Sequence, residues 1–127
     1  MVGIAFVANK GNETLERLVG ACLLFERTAG GESILVIRGI NPLQNVITGL
    51  SSESFAQEFM KYVKPIAEAR GIRRIAAPVG VTGTLSNRPE MNTAFGSLYG
   101  NNEKVTLDEP LTFNDYIIGE VTVCETF

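Results

Sequence analysis

The sequence predicts one domain over residues 1–127, α/β in content and α+β in organisation. Its sheet is mixed and largely antiparallel, with one parallel strand pair joined by an amphipathic helix. Three observations carry this. Ile34-Leu35-Val36-Ile37 is continuously apolar, the pattern of a strand covered on both faces. Phe55, Phe59, Tyr62, Val63 and Ile66 recur at helical spacing, and the next apolar stretch, Ile72 to Val79, lies beyond them. Strand, helix and strand in that order imply a parallel pair joined right-handedly. The other apolar stretches are short and bounded by turn residues, as in antiparallel meanders.

In chain order, Ile4 to Ala8 reads as a short strand ending at Asn9-Lys10-Gly11-Asn12. Glu13 to Leu18 reads as a helical turn or as more loop. Gly20 to Arg27 is a strand, and Thr28-Ala29-Gly30-Gly31 turns it into a hairpin with Ile34 to Ile37. Arg38 to Ser52, rich in Asn, Pro, Gly and Ser, reads as loop. The long helix follows, with Ser51, Ser52 or Ser54 as its cap and Ser54-x-x-Gln57 at capping-box spacing. Gly71 ends it. Pro65 removes one intrahelical bond, so a kink or a split is expected near Lys64.

Ile72 to Val79 is the next strand, with Pro78 marking its end or a break in its ladder. Gly80 to Leu85 is loop. A second helix opens at Asn87-Arg88-Pro89-Glu90, with Asn87 as cap and Pro89 in the first turn. Met91, Ala94, Phe95 and Leu98 form its apolar stripe, and Gly100 ends it. Glu103 to Leu107 and Leu111 or Tyr116 to Phe127 are strands, punctuated by Asp108-Glu109-Pro110 and Asn114-Asp115. Alternation at Val121 and Val123 predicts one exposed face.

Composition excludes several classes. With 45% hydrophobic and 20% charged residues the chain is globular. No apolar run has the length of a membrane span, and the first residues lack the basic region of a signal peptide, so the expected address is cytoplasmic. There is no histidine, which removes Ser-His-Asp and Cys-His nucleophiles and HExxH zinc sites. Cys22 and Cys124 cannot alone make a metal site, and each lies in an apolar stretch where a thiol packs as a small hydrophobe. A net charge of −3 argues against a nucleic-acid partner. Yet six basic residues between Lys61 and Arg88 face one acid, and six acids between Asn101 and Phe127 face one lysine. These are two solvated faces of opposite sign, or an anion site and a cation-attracting rim.

Ligands of open sheets favour the crevice beyond the carboxyl ends of parallel strands. Two loops reach it here: Arg38 to Asn45, which runs towards the N-terminus of the long helix, and Thr82 to Arg88, which carries Ser86, Asn87 and Arg88 as donors. The same residues also serve ordinary turn chemistry.

The element order from Gly20 to Phe127, with Ile4 to Ala8 as the preceding strand, resembles the GNAT superfamily of N-acetyltransferases. Gln44-Asn45-Val46-Ile47-Thr48-Gly49 is similar to that family's pyrophosphate loop, R/Q-x-x-G-x-G/A, with Ile47 where the central glycine stands. Asn92, Leu98 and Tyr99 reproduce the spacing of an Asn at the start of the family's last helix with an apolar residue and a Tyr seven positions on.

The resemblance implies that acetyl-CoA, or another acyl-CoA, enters a gap where two parallel strands splay apart. Gln44, Asn45 and Gly49 would lie on its pyrophosphate and Arg88 near its phosphates. Ala77 to Val79 would offer strand amides to the thioester, and Asn92 would line the site. Tyr99 would be the general acid returning a proton to sulfur, and the acceptor a small-molecule or peptide amine. Glu26, Glu120 and Glu125 are all candidates for the base. Two departures matter: a branched side chain at Ile47 opposes close approach to phosphate, and only 33 residues precede Ile34, fewer than the family's usual first strand and two helices need. The chain is then a trimmed transferase, one whose cleft a partner completes, or a non-catalytic binding or interaction protein of the same architecture, with homo-oligomerisation among the expectations.

Overall fold

The computed structural model describes residues 2–9, 16–42, 51–80, 85–86, 88–113 and 116–127. Along the chain these form β1 (Val2–Asn9), β2 (Glu16–Ala29), β3 (Glu32–Pro42), α1 (Ser52–Ala69), β4 (Arg74–Ala77), α2 (Pro89–Tyr99), β5 (Lys104–Phe113) and β6 (Tyr116–Thr126). The strands make one six-stranded sheet in the order β1-β2-β3-β4-β6-β5. β3 and β4 run parallel, and the other neighbours are antiparallel. The architecture is α+β, with α1 as the crossover between the parallel strands.

Apolar β-branched residues at the centre of the sheet set its two-sided burial. Leu35 and Ile37 of β3 pack with Cys22 and Leu24 of β2 and with Phe55, Phe59, Met60 and Val63 of α1. Ile34 and Val36, alternating with them, join Phe25, Leu107, Leu111, Ile118 and Val121 in a second core on the opposite face. That second core exists because the sheet curls. β5 packs against β2 although three strands separate them in the sheet.

Local chemistry shapes the ends of the elements. Gly30 and Gly31, at φ 62° and 78°, make the two-residue turn between Ala29 and Glu32, the positive-φ pair that matches strand twist. Ser51 is the realised cap of α1, its hydroxyl accepting from the Ser54 amide at 3.1 Å. At the other end the Ile72 amide donates to Ala67 at 2.9 Å and the Gly71 amide to Glu68 at 3.0 Å. With Gly71 at φ 70° this is a Schellman exit that aims the chain into β4.

Several sequence expectations change. β2 begins at Glu16, so Glu16 to Leu18 is strand, while residues 13–15 lie outside the described residues. β3 continues through Arg38 to Pro42, where loop was expected. α1 is one helix through Pro65; that position is solvent-exposed, so the Lys61 carbonyl it leaves unbonded lies on the wet face of the helix. Tyr62 is 70% exposed. The buried stripe of α1 turns instead through Ala56, Met60 and Ala67, residues small or flexible enough to seat against the sheet.

β4 is shorter than Ile72 to Val79 because the Schellman turn occupies its start and Pro78 its end. Asn87 lies outside the described residues; Arg88 stands at the N-cap of α2 with no side-chain cap bond, and Pro89 opens the helix. Asp108-Glu109-Pro110 stays within β5, where it makes an irregularity opposite β6. Residues 121–124 are buried in succession, Thr122 and Cys124 included, so β6 has no exposed face there. Cys124 packs on the helix side and Val123 in the second core.

Candidate functional site: the divergence of β3 and β4

β3 and β4 pair only at Leu35–Ile75 and Val36–Ala76. Beyond these rungs β3 runs on to Pro42, whereas β4 stops at Ala77. Pro78 has no N–H with which to extend the ladder. A bulge contributes to the parting. Gly39 and Ile40 together stand opposite Cys22, with Gly39 at φ 67°. An extra residue of this kind bends its strand and increases its twist.

The slot that results is partly lined by bonds the chain makes with itself. The Ile40 amide donates to the Leu85 carbonyl at 2.9 Å, bringing the segment before α2 against the β3 edge. Of Ala77, Pro78 and Val79, expected to offer strand amides, Pro78 has none to give. The Val79 amide donates back to the Ala77 carbonyl at 2.8 Å. Ala77 pairs with Thr122 of β6, the side to which antiparallel alternation turns its amide, because Val123 turns its own N–H and C=O towards β5. All three of these residues are buried.

Asn92 serves the slot through its neighbour. Its Nδ2 donates to the Ser86 carbonyl at 3.0 Å, and the Ser86 hydroxyl, itself buried, accepts from the Arg88 amide at 3.0 Å. Leu85, Ser86, Arg88 and Asn92 therefore form one connected unit at the carboxyl end of β4. Arg88 is half-buried within it. The other basic residues of that sequence region do not converge there. Arg70 pairs with Glu26 at 3.3 Å and Arg74 with Glu32 at 3.6 Å, at the opposite end of the sheet. Lys61 pairs with Glu58 of its own helix. Gln44, Asn45 and Gly49 lie outside the described residues.

Tyr99, at the last turn of α2, is half-buried and meets the Phe95 ring edge-on, centroids 5.5 Å apart. Burial, then the neighbouring Cys124 and Glu125, push its hydroxyl up to about 12. It stays protonated and able to donate across the neutral range. Glu125 is paired with Ile75, so Tyr99 sits near the level of the β3–β4 rungs. Of the three candidate bases Glu125 is the one whose charge acts on the Tyr99 hydroxyl. Glu26 is held in its ion pair with Arg70, and Glu120 is exposed on β6. Cys22 and Cys124 are buried free thiols, each pushed up to about 12 by desolvation, with Glu125 adding to the shift of Cys124, which disfavours the thiolate.

Two residues that the sequence named only as parts of the crevice loops take a more specific place. Arg38, expected in a loop, is 4% exposed within β3. Next to the helix-facing Ile37, it takes the opposite face by strand alternation and puts a cation where the strands part. The sequence placed it at the head of a crevice loop; only knowledge that β3 continues past Ile37 would have shown its burial. Ser86 was one donor among several, and its burial is set by tertiary contacts no spacing reveals.

Among the described residues, no group of three or more Cys, Asp or Glu side chains is placed to hold a metal ion, and no helix is long and apolar enough to cross a membrane. Among the described residues, surface depressions also lie apart from the slot. One of about 490 Å³ lies between the β2–β3 hairpin and β5. Another, of about 230 Å³, lies between the start of β5 and the end of β6. Comparison with known proteins returns no matching family model, no matching curated protein and no matching solved structure.

Proposed function

We propose that the chain is a GNAT-like acyl-CoA-dependent N-acyltransferase, its donor held where β3 and β4 part. The observation that supports this most is the central parallel pair, zipped for two rungs and then open, with α1 starting after the open end. A pantetheine arm carries two amides and pairs with a bare strand edge as another strand does. The stretch Ile37 to Gly39, between the last rung and the Ile40–Leu85 bond, would receive such an arm. Bound there, acyl-CoA supplies an activated thioester carbonyl.

The residues of the chain then divide the work. Arg88 faces the phosphates from the N-terminus of α2. Tyr99, protonated through the neutral range, returns a proton to the departing sulfur. Glu125, whose charge acts on that hydroxyl, takes the proton that the acceptor amine loses as its nitrogen gains the acyl group.

A non-catalytic protein of the same architecture is the second reading. Two self-made bonds favour it, Ile40 to Leu85 and Val79 to Ala77, because they satisfy slot amides without a ligand. Thermal melting with millimolar acetyl-CoA separates the two. A ligand at about 100 times its dissociation constant adds roughly 2.7 kcal/mol, several degrees in a domain this size. An unchanged melting temperature removes the transferase reading and leaves the second.

A further inference from the structure

The two edges of the sheet are built differently. β5, at one edge, carries Lys104, Asp108, Glu109 and Pro110 and an irregularity between Thr106 and Leu111. Charge, proline and irregular pairing are the devices that keep a strand edge from joining another chain. β1, at the other edge, is eight residues long and reads Val2-Gly3-Ile4-Ala5-Phe6-Val7-Ala8-Asn9, with neither a charge nor a proline. Among the described residues it pairs only with β2. Its outer row of N–H and C=O groups is a template for one more strand.

We propose that this strand is β1 of a second copy of the chain, paired antiparallel about a two-fold axis to make one sheet across two protomers. The composition of β1 favours its own copy. An uncharged strand laid antiparallel on itself brings no like charges opposite one another. An isologous contact of this kind also closes after two chains. The alternative of β1 against the β5 edge of the next molecule would generate open filaments, and the charges and proline of β5 oppose it. One strand pair is a small contact, so the dimer is concentration-dependent. The proposal is independent of whether the slot between β3 and β4 takes a ligand.

Sedimentation and light scattering of the chain at low- to high-micromolar concentration, with amide exchange read at both ends, test it. The expected result is a monomer–dimer equilibrium in which β1 amides gain protection as the dimer forms, while β5 amides exchange equally in both states. Gly3→Pro and Ile4→Pro, tested separately, remove adjacent N–H groups, one turned towards β2 and one outward. The outward one should leave a folded monomer. A chain that stays monomeric at high-micromolar concentration overturns the proposal. So does a dimer whose β1 amides exchange as fast as in the monomer, or whose β5 amides are the ones protected. Should both proline variants unfold, the exchange comparison on the unaltered chain still decides.

Discussion

The Leu85 carbonyl accepts the Ile40 amide at 2.9 Å, so the β3 edge that β4 abandons after Ala76 is taken up again by the segment entering α2. This contact sets the length of the slot, and Asn92 secures it by holding the adjacent Ser86 carbonyl. The residue singled out for its spacing to Tyr99 therefore positions the loop.

Asn92→Ala removes that anchor. The expected loss is about 1 kcal/mol, the net contribution of one ordinary hydrogen bond, measured by urea denaturation. The Ile40 amide should also exchange faster than in the unaltered chain. Unchanged exchange at Ile40 would detach Asn92 from the slot.

Tyr99→Phe keeps the ring against Phe95 and deletes the proton. If the transferase reading holds, acetyl-CoA binding measured by thermal shift should persist while turnover with an amine acceptor falls by 10²-fold or more, the usual contribution of a general acid. Because Tyr99 stays protonated to about pH 12, it should impose no alkaline limb on the rate between pH 6 and 9. Turnover equal to that of the unaltered chain would remove Tyr99 from the chemistry.

The buried thiols and the phenol tie stability to alkali. Burial raises Cys22 and Cys124 from 9.0, and Tyr99 from 10.0, each to about 12. The unfolded chain then releases these protons first. Their contribution is complete below about pH 9 and declines as pH rises towards 12. Urea midpoints should fall across that window, and in Cys22→Ala/Cys124→Ala the pH-dependent fall should be shallower and begin nearer pH 10, whatever the variant loses in packing. An onset unmoved by the double variant would show that other groups govern it.

How legible all this was in the sequence depended on the range of the forces involved. Ile34 to Ile37 and the stripe from Phe55 to Val63 announced themselves because burial on two faces, or on one helical face, is a local pattern. The parallel pair followed from their order. What the sequence hid was tertiary. Nothing local says that β3 outlives its apolar run to reach Pro42, because a bulge at Gly39 and pairing with β2 carry it there. The burial of Cys124 was legible from its apolar stretch, but spacing could not show that Thr122 would be covered as fully as Val121 and Val123, since two cores and a curled sheet do that. For the site, Tyr99 and Asn92 stood out only through a spacing that resembles the last helix of the N-acetyltransferase superfamily. Arg38 did not, because its burial depends on the strand it was not expected to join.

Gly39→Ala tests the bulge. A Cβ at this position would meet no atom of the described residues within 4 Å, so the expected penalty is conformational and comes from φ 67°. Forcing an L side chain into that region costs about 1–2 kcal/mol. If the strand relieves the strain by straightening, the β3–β4 parting narrows and any acetyl-CoA thermal shift shrinks with it. A fully stable variant with an unaltered shift would mean the bulge does not hold the slot open.

The curl of the sheet rests on a second relationship. The Asp108 carboxylate of β5 accepts from the Gly30 and Gly31 amides at 2.8 and 2.9 Å, fastening the β2–β3 turn to a strand that is not its neighbour. These two bonds, then one with Thr28, hold its carboxyl below the ordinary 3.8. A depressed carboxyl stabilises above its unfolded value and loses that contribution as pH falls through the folded one. Asp108→Ala should therefore melt lower than the unaltered chain at pH 7, and the gap should close progressively below about pH 4. Asp108→Asn, with one acceptor oxygen in place of two and no charge, should fall between them. A gap that persists undiminished into strong acid would assign the loss to packing of the β5 irregularity, and the carboxylate clamp would have to be given up.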